Sequence, residues 1–300
     1  MKVGVALPLA ESDAGGQASY ATIRSLALQA EAAGFDSLWV FDHLLYRFPD
    51  KPTMGIWEAW TTLTAIAEAT ERVEIGALVL CTAFRNPAVL AKMADTLDEV
   101  SNGRLILGLG AGWHDPEFEA FGLANDRLAS RFEEALSIIC PLLRTGEVDF
   151  AGEFDAAREC VSRPRGPRPN GPPILVASSG PRMLRLTARF ADAWNTAWMG
   201  DPGPLAERRA GLEEACRAED RDPATVEITV GVSVVYPELL AQPPSAEEQG
   251  KALSGDAATV AAGLRAFADA GVGHVMCALE PNTPEALGRF TEALELYRAG

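Results

Sequence analysis

Three short stretches of this 300-residue chain carry side chains able to do chemistry. Asp42-His43 follows the apolar run Ser37-Leu38-Trp39-Val40-Phe41. A histidine there can give or take a proton near neutral pH, with the aspartate binding a polar ligand edge or orienting a neighbour. A plain strand-end cap is the alternative. Ser178-Ser179-Gly180-Pro181 reads as a strand-to-helix joint. Hydroxyls and N–H groups at a helix N-terminus suit a phosphate, although serine is equally apt as an ordinary cap. Gly108-Leu109-Gly110-Ala111-Gly112-Trp113 offers backbone that can approach a flat ligand. It is G-x-G-x-G and runs into His114-Asp115-Pro116, so it fails the G-x-G-x-x-G dinucleotide pattern.

Other chemistries find little support. His43, His114 and His274 show no metal-ligand spacing, and no metal site is expected. There is no G-x-S-x-G elbow and no P-loop. His274 lies in an apolar run and reads as a satisfied core or rim residue, and Cys81 as a small buried hydrophobe. The basic run from Arg163 to Arg168 reads as a solvated loop. Arg182, Arg185 and Arg189 recur at helical spacing and read as a solvated helix face.

The elements that must position these residues follow from periodicity. Short apolar or β-branched runs predict strands near 3–8, 37–41, 73–80, 104–110, 173–177, 193–196, 227–235 and 274–279. Helical patterns lie between and after them, near 20–33, 57–70, 87–101, 127–144, 181–189, 204–220, 256–270 and 284–298. Gly34 and Asn102-Gly103 look like helix stops, while Pro87, Pro181 and Pro284 suit a first helical turn. Ser254 is a candidate N-cap. Eight strands alternating with eight helices match an α/β fold of the (β/α)8 TIM-barrel type, read as one domain over 1–300. A doubly wound sheet stays open on pattern alone. Segments 145–172 and 236–253 exceed an ordinary loop and are candidate substrate walls.

In such a barrel the site forms at the strand C-terminal ends. Here those carry Pro8, Asp42, His43, Cys81, Thr82, the stretch from Ala111 to His114, the Ser178–Gly180 turn, Asn195, Trp198, Tyr236 and Glu280. Aromatics, two histidines and a glycine-bearing turn suit a planar cofactor with an anionic tail.

Composition narrows the partners. With 26 Lys plus Arg against 42 Asp plus Glu, the formal charge is −16. That balance argues against nucleic acid and anionic membrane surfaces, which need a basic face, but not against a small anionic ligand. Five scattered cysteines suggest no disulfide framework. Pro8 and Glu11 interrupt the N-terminal apolar run too early for a signal peptide, and no stretch approaches the roughly 18 apolar residues of a spanning helix. A cytoplasmic location is the expectation.

The chain resembles the bacterial luciferase-like oxidoreductases, and most of all the branch that uses the deazaflavin coenzyme F420. The resemblance rests on the stretch from Gly34 to His43, on residues 58–67 with Thr70-Glu71-Arg72-Val73, and on 76–87 with Arg85-Asn86-Pro87. It continues through 97–113, with Ser101-Asn102-Gly103-Arg104, and 174–196, with Ala191-Asp192-Ala193-Trp194-Asn195. It implies a barrel binding a reduced flavin or deazaflavin. Asp42 would lie near the ring, His43 would be the proton-transfer group, and a non-prolyl cis peptide would fall at Leu78-Val79, with Cys81 beside it. Ala111 and Gly112 would approach the ring or its side chain, and Ser178, Ser179 and Gly180 the phosphate.

Where sugar-phosphate dehydrogenases of this family carry a glutamate base, this chain has Trp113, which favours an apolar or aromatic substrate. His114 and Glu117 are nearby ionisable candidates, with Trp113 and His114 assigned to the substrate. The expectation is therefore hydride transfer between F420 and a small organic substrate. A reduced-FMN monooxygenase, a non-catalytic flavin-binding protein and, further off, a metal-dependent hydrolase are the alternatives. The resemblance also implies a homodimer.

Overall fold

The computed structural model describes residues 1–11, 16–242, 245 and 250–300. Its strands and helices alternate as the periodicity predicts. Along the chain run β1 (Lys2–Ala6), α1 (Tyr20–Ala32), β2 (Ser37–Val40), the two-residue strands β3 (Leu45–Tyr46) and β4 (Met54–Gly55), and α2 (Ala59–Ala69). Next come β5 (Glu74–Ala77), β6 (Leu80–Cys81), α3 (Pro87–Val100), β7 (Leu105–Gly110), α4 (Asp115–Phe121) and α5 (Leu128–Arg144). They are followed by β8 (Glu147–Ala151), β9 (Ala156–Val161), β10 (Ile174–Ala177), α6 (Pro181–Phe190), β11 (Ala193–Met199) and α7 (Leu205–Ala218). The last are β12 (Glu227–Val235), β13 (Leu253–Ser254), α8 (Ala257–Asp269), β14 (His274–Glu280) and α9 (Pro284–Ala299).

These elements group into two compact units. The first comprises Met1–Pro8, Ala21–Trp39 and Ala177–Gly300. In it β1 pairs in parallel with β2 and β14, β14 with β12, and β12 with β11. The second comprises Leu9–Tyr20 and Val40–Val176. There β7 is the central strand, pairing in parallel with β5, β6 and β10. All six residues of β7 are buried, as a parallel strand covered on both faces requires.

Glycine in β7 has a steric cause. A Cβ at Gly108 would lie 2.1 Å from the Ala77 carbonyl oxygen, and one at Gly110 would lie 2.6 Å from Val79 Cγ2. At Gly112, with φ +87°, it would meet Cys81 Sγ and the Phe118 ring, each at 2.7 Å. On the side where a Cβ would stand, these glycines are packed against protein.

Several boundaries differ from expectation. The predicted strand at 73–80 divides into β5 and β6, with a cis peptide at Leu78-Val79 between them. The strand at 193–196 runs on to Met199. Segment 145–172 is not all loop, because β8 and β9 form an antiparallel hairpin. The Glu134 carboxylate on α5 accepts the backbone N–H groups of Glu153, Phe154 and Asp155 at 2.8 to 2.9 Å, which fastens the hairpin's turn. Within segment 236–253, residues 243–244 and 246–249 lie outside the described residues.

The solvated-loop reading of the basic run holds only in part. Arg168 grips the fully buried Asp98 through Nε and Nη2, and Arg165 donates to the Leu143 carbonyl at the end of α5. Ser254 is not the N-cap of α8; it lies in β13, and Asp256 caps the helix by accepting from Thr259 N at 2.8 Å. Arg104 explains two of the shared sequence stretches. Its guanidinium donates to the carbonyls of Ala67, Thr70, Val73 and Ser101, closing the end of α2.

Candidate active site

The second unit gathers most of the predicted site residues at its strand ends. Asp42 follows β2, Cys81 ends β6, and Ala111 to His114 follow β7. Asp42 is buried and accepts Cys81 N at 2.8 Å. The Arg85 guanidinium clasps it bidentately, at 2.7 and 2.9 Å, and reaches on to Glu58 at 2.6 Å. Glu58 is itself the N-cap of α2, accepting from Trp60 N and Thr61 N. Burial opposes the charge on Glu58, but the hydrogen bonds from Thr61, Arg85 and Trp60 outweigh it and hold the carboxyl below its usual range. Desolvation likewise opposes the Arg85 charge, yet its bonds to Asp42 and Glu58 prevail and raise its pKa. Asp42 is thus a pinned anchor for the end of β6 and for α2.

His43 is held differently. Its Nδ1 lies 3.0 Å from Glu117 Oε1, while Glu117 Oε2 accepts Leu44 N at 2.8 Å. Glu117 is carried by α4, an element absent from the predicted helices. Proline inside its first turn, Gly122 at φ +69° behind it, and buried Phe118 packed 5.2 Å from the Phe84 ring fix this short helix. The His43 Nε2 has no hydrogen-bond partner among the described residues.

Around it stand Tyr46 and Trp113, with ring centroids at 4.6 and 5.5 Å. Tyr46 stacks on Phe48, and Phe48 packs 5.1 Å from His114. Trp113 is 62% exposed, so a large apolar face is available beside an ionisable ring. His114 is buried, and its Nε2 accepts Arg47 N at 3.0 Å. Burial first, with the Glu117 charge adding to it, pushes the Tyr46 hydroxyl well above its usual pKa. Burial pushes the Cys81 thiol up to about 12, with Asp42 and Glu117 reinforcing it against hydrogen bonds from Ala83 and Phe84, so it stays a thiol at neutral pH.

Ser178, Ser179 and Gly180 belong to the joint between β10 and α6. The Ser178 hydroxyl pairs with Thr187 Oγ1 at 2.8 Å. Thr187 spends its own proton on the Met183 carbonyl, so Ser178 is the donor of that pair. Ser179 is exposed. Gly180 is the N-cap of α6, with no side-chain cap and nothing within 4 Å of where a Cβ would stand. An uncapped helix start with open space before it fits an anionic group.

His274 and Asn195 belong to the first unit. Trp39 Nε1 donates to Ser37 Oγ at 2.7 Å, and the Ser37 hydroxyl also hydrogen-bonds His274 Nε2, at 2.7 Å. Burial, then the Lys2 and N-terminal charges, lower the His274 pKa to about 3. It is the satisfied core residue that the sequence suggests. Asn195 is buried too, donating to Thr229 Oγ1 at 2.9 Å. Sequence reasoning assigns no role to Arg85, Glu58, Tyr46 or Phe48. For Arg85 a signal existed: a cation at a strand end whose neighbours are apolar requires a buried partner. No group of three or more metal-ligating side chains occurs among the described residues. Among them, too, no helix is long and apolar enough to cross a membrane.

Comparison with known proteins sets this geometry in a family. The chain is 33% identical over 230 residues to a phthiodiolone/phenolphthiodiolone dimycocerosates ketoreductase of Mycobacterium sp. (strain JLS), covering 71% of this chain and 60% of that protein. It is 32% identical over 217 residues to the F420-dependent glucose-6-phosphate dehydrogenase of Amycolatopsis mediterranei (strain U-32), covering 70% and 63%. The chain therefore spans somewhat under two thirds of these relatives' own lengths. Among solved structures, an F420-dependent secondary alcohol dehydrogenase in complex with an F420-acetone adduct superposes with a TM-score of 0.80 at 20% identity, covering 99% of both chains. That likeness gives the fold as a (β/α)8 barrel of luciferase-like type. The family model for luciferase-like monooxygenases matches residues 1–242, and the chain belongs to that family.

Proposed function

We propose that this protein is an oxidoreductase that moves a hydride between coenzyme F420 and the carbon of a small organic substrate. The observation that carries the proposal is the bonding of His43: Nδ1 is bound to a buried carboxylate, Nε2 is unbonded, and an exposed tryptophan face lies alongside. When bound, the deazaflavin supplies or accepts the hydride at its C5. His43 holds or moves one proton at Nε2. Trp113, Tyr46 and Phe48 present apolar surface to the substrate and keep water from it. Asp42 serves through the chain Cys81 N, Arg85 and Glu58, which keeps the strand end in place, and Leu78, Val79, Ala111 and Gly112 form the backbone on the ring side. The uncapped start of α6, with Ser179 and Gly180, holds phosphate, and Ser178 shapes that turn through Thr187. A cytoplasmic location and a homodimer complete the reading. Relatives named for a ketone reduction and for F420 dependence support it.

A second reading, in which reduced FMN activates oxygen, is favoured by the family's description as luciferase-like monooxygenases. Anaerobic fluorescence titration with F420 and with FMN, followed by oxygen-consumption assays, separates the two. Micromolar or tighter F420 binding, with oxygen-independent turnover of ketones such as acetophenone, is the expected result. Tight FMN binding with oxygen-dependent product and no F420 affinity overturns the proposal. Binding without turnover on any ketone or alcohol assigns the chain to the non-catalytic flavin binders.

A further inference from the structure

We infer that Glu117 is a positioning residue that sets the tautomer of His43 and so decides which ring nitrogen handles the proton. The inference rests on the reading of His43 as the proton-transfer group. A neutral imidazole carries hydrogen on one nitrogen only, and the bond made by one nitrogen selects the state of the other. An ionised carboxylate has no hydrogen to donate, so at 3.0 Å from Glu117 Oε1 the His43 Nδ1 must be the protonated nitrogen. The lone pair then falls on Nε2, the nitrogen without a protein partner.

The carboxylate cannot readily turn away from this task. Its other oxygen is held by Leu44 N at 2.8 Å, and Glu117 is only 1% exposed. Phe118, the next residue along α4, is fully buried and fills the space that Gly112 leaves. Among the described residues no neighbouring group competes for Nε2. Tyr46 and Trp113 offer it ring surface, and the His114 Nε2 is already accepting Arg47 N.

The consequence for the reaction balances simply. When an alcohol is oxidised at this site, its C–H bond breaks with both electrons leaving as hydride to the coenzyme. Its O–H bond breaks as well, and that proton goes to the lone pair on Nε2. In the reverse direction Nε2 returns the proton to the carbonyl oxygen. An imidazole in the other tautomer has its lone pair on Nδ1, facing Glu117, and cannot take the alcohol's proton.

Glu117→Gln tests this with almost no change of shape. Leu44 N still needs an acceptor, so the amide oxygen stays with it and the amide NH2 turns to His43. Nδ1 must then accept, and the hydrogen moves to Nε2. Long-range proton–nitrogen NMR on the full chain labelled with 15N-histidine, free of coenzyme, reads the tautomer directly, and the His43 signal is the one lost in His43→Ala. The expected result is an Nδ1–H imidazole in the wild type and an Nε2–H imidazole in Glu117→Gln. With oxidised F420 and 1-phenylethanol, kcat of the Gln variant should fall at least about 100-fold with KM little changed, because the wrong tautomer is costly even in an intact site. Glu117→Asp, which keeps the carboxylate, should restore the Nδ1–H form.

A wild-type spectrum showing Nε2–H overturns the inference whether or not any variant folds. A tautomer that switches while kcat holds overturns Glu117's part in the reaction. If His43→Ala itself turns over normally, the functional reading falls, and the spectrum still judges what Glu117 does to the ring.

Discussion

Two histidines of this chain are nearly opposite uses of one side chain. His274 in the first unit is sealed among Ser37, Trp39 and the β14 backbone, its Nε2 satisfied by the Ser37 hydroxyl. His43 in the second unit gives one nitrogen to a carboxylate and leaves the other without a partner among the described residues. Both are hydrogen-bonded and both pack against tryptophan rings. The difference lies in what the partner can do. Burial keeps the His274 imidazole neutral and a hydroxyl occupies its Nε2, whereas a carboxylate steers the His43 proton to one face and leaves the opposite nitrogen available. Where polar residues cluster in a barrel, the unspent valence separates a packing cluster from a working one.

The largest effect that could break this contrast is on turnover. Replacing His43 with Ala should lower kcat by roughly 10²- to 10⁴-fold, with the F420 dissociation constant within a few-fold of wild type. His274→Leu should leave kcat of the folded protein unchanged. Steady-state assays paired with fluorescence titration decide it, and equal losses in the two variants would erase the distinction.

Next in size is the scaffold behind His43. Arg85→Ala removes the guanidinium from a carboxylate with almost no access to water, and should cost about 3 to 5 kcal/mol in urea unfolding. The paired change Arg85→Ala with Asp42→Asn should recover part of that loss. If the single variant unfolds like wild type, Asp42 is not the anchor described above.

The third prediction sharpens the other side. In the fold His274 stays neutral down to about pH 3, while in the unfolded chain it takes up a proton near pH 6.5. Below pH 6.5 the unfolded state therefore binds the extra proton, and stability falls with falling pH by up to about 1.4 kcal/mol per pH unit. That contribution is complete above pH 6.5 and is lost as the pH drops toward 3. Unfolding curves between pH 7 and 4.5 should show a shallower slope for His274→Leu than for wild type, and parallel slopes would show that the buried ring titrates normally.

The smallest effect concerns the exposed wall. Trp113→Ala should raise KM for acetophenone by about tenfold while leaving that for acetone nearly unchanged, since an aromatic contact contributes about 0.5 to 1.5 kcal/mol beyond area. Comparing the two ketones in one assay isolates the ring contact.

Much of this was legible in order of residues. The eight strand segments, the position of Asp42-His43 at a strand end and the buried fate of His274 all follow from apolar periodicity, because a strand covered on both faces leaves a continuous hydrophobic run. What periodicity could not show is pairing across sequence distance. Glu117 lies 74 positions from His43, in a seven-residue helix too short for a periodic signal. Arg85 looks like any surface cation until Asp42 is seen beneath it. The packing that requires glycine in β7 was not legible either, because a missing side chain leaves no trace of what occupies its place. The β8–β9 hairpin was hidden for a related reason: it is largely half-buried or exposed, so no apolar face marks it.

That hairpin's fastening has a consequence for how the chain can vary. One carboxylate, Glu134, holds three successive main-chain N–H groups, an attachment indifferent to the side chains that those residues bear. Gly152 is the exception, because a β-carbon there would lie 2.2 Å from the same carboxylate. The main-chain attachment of the turn is thus specified by two positions, 134 and 152. Glu153 and Asp155 can therefore vary without loosening that main-chain hold, Glu153 giving up only an exposed ion pair with Arg127, while Phe154 is kept by the Arg127 and Arg131 guanidiniums over its ring.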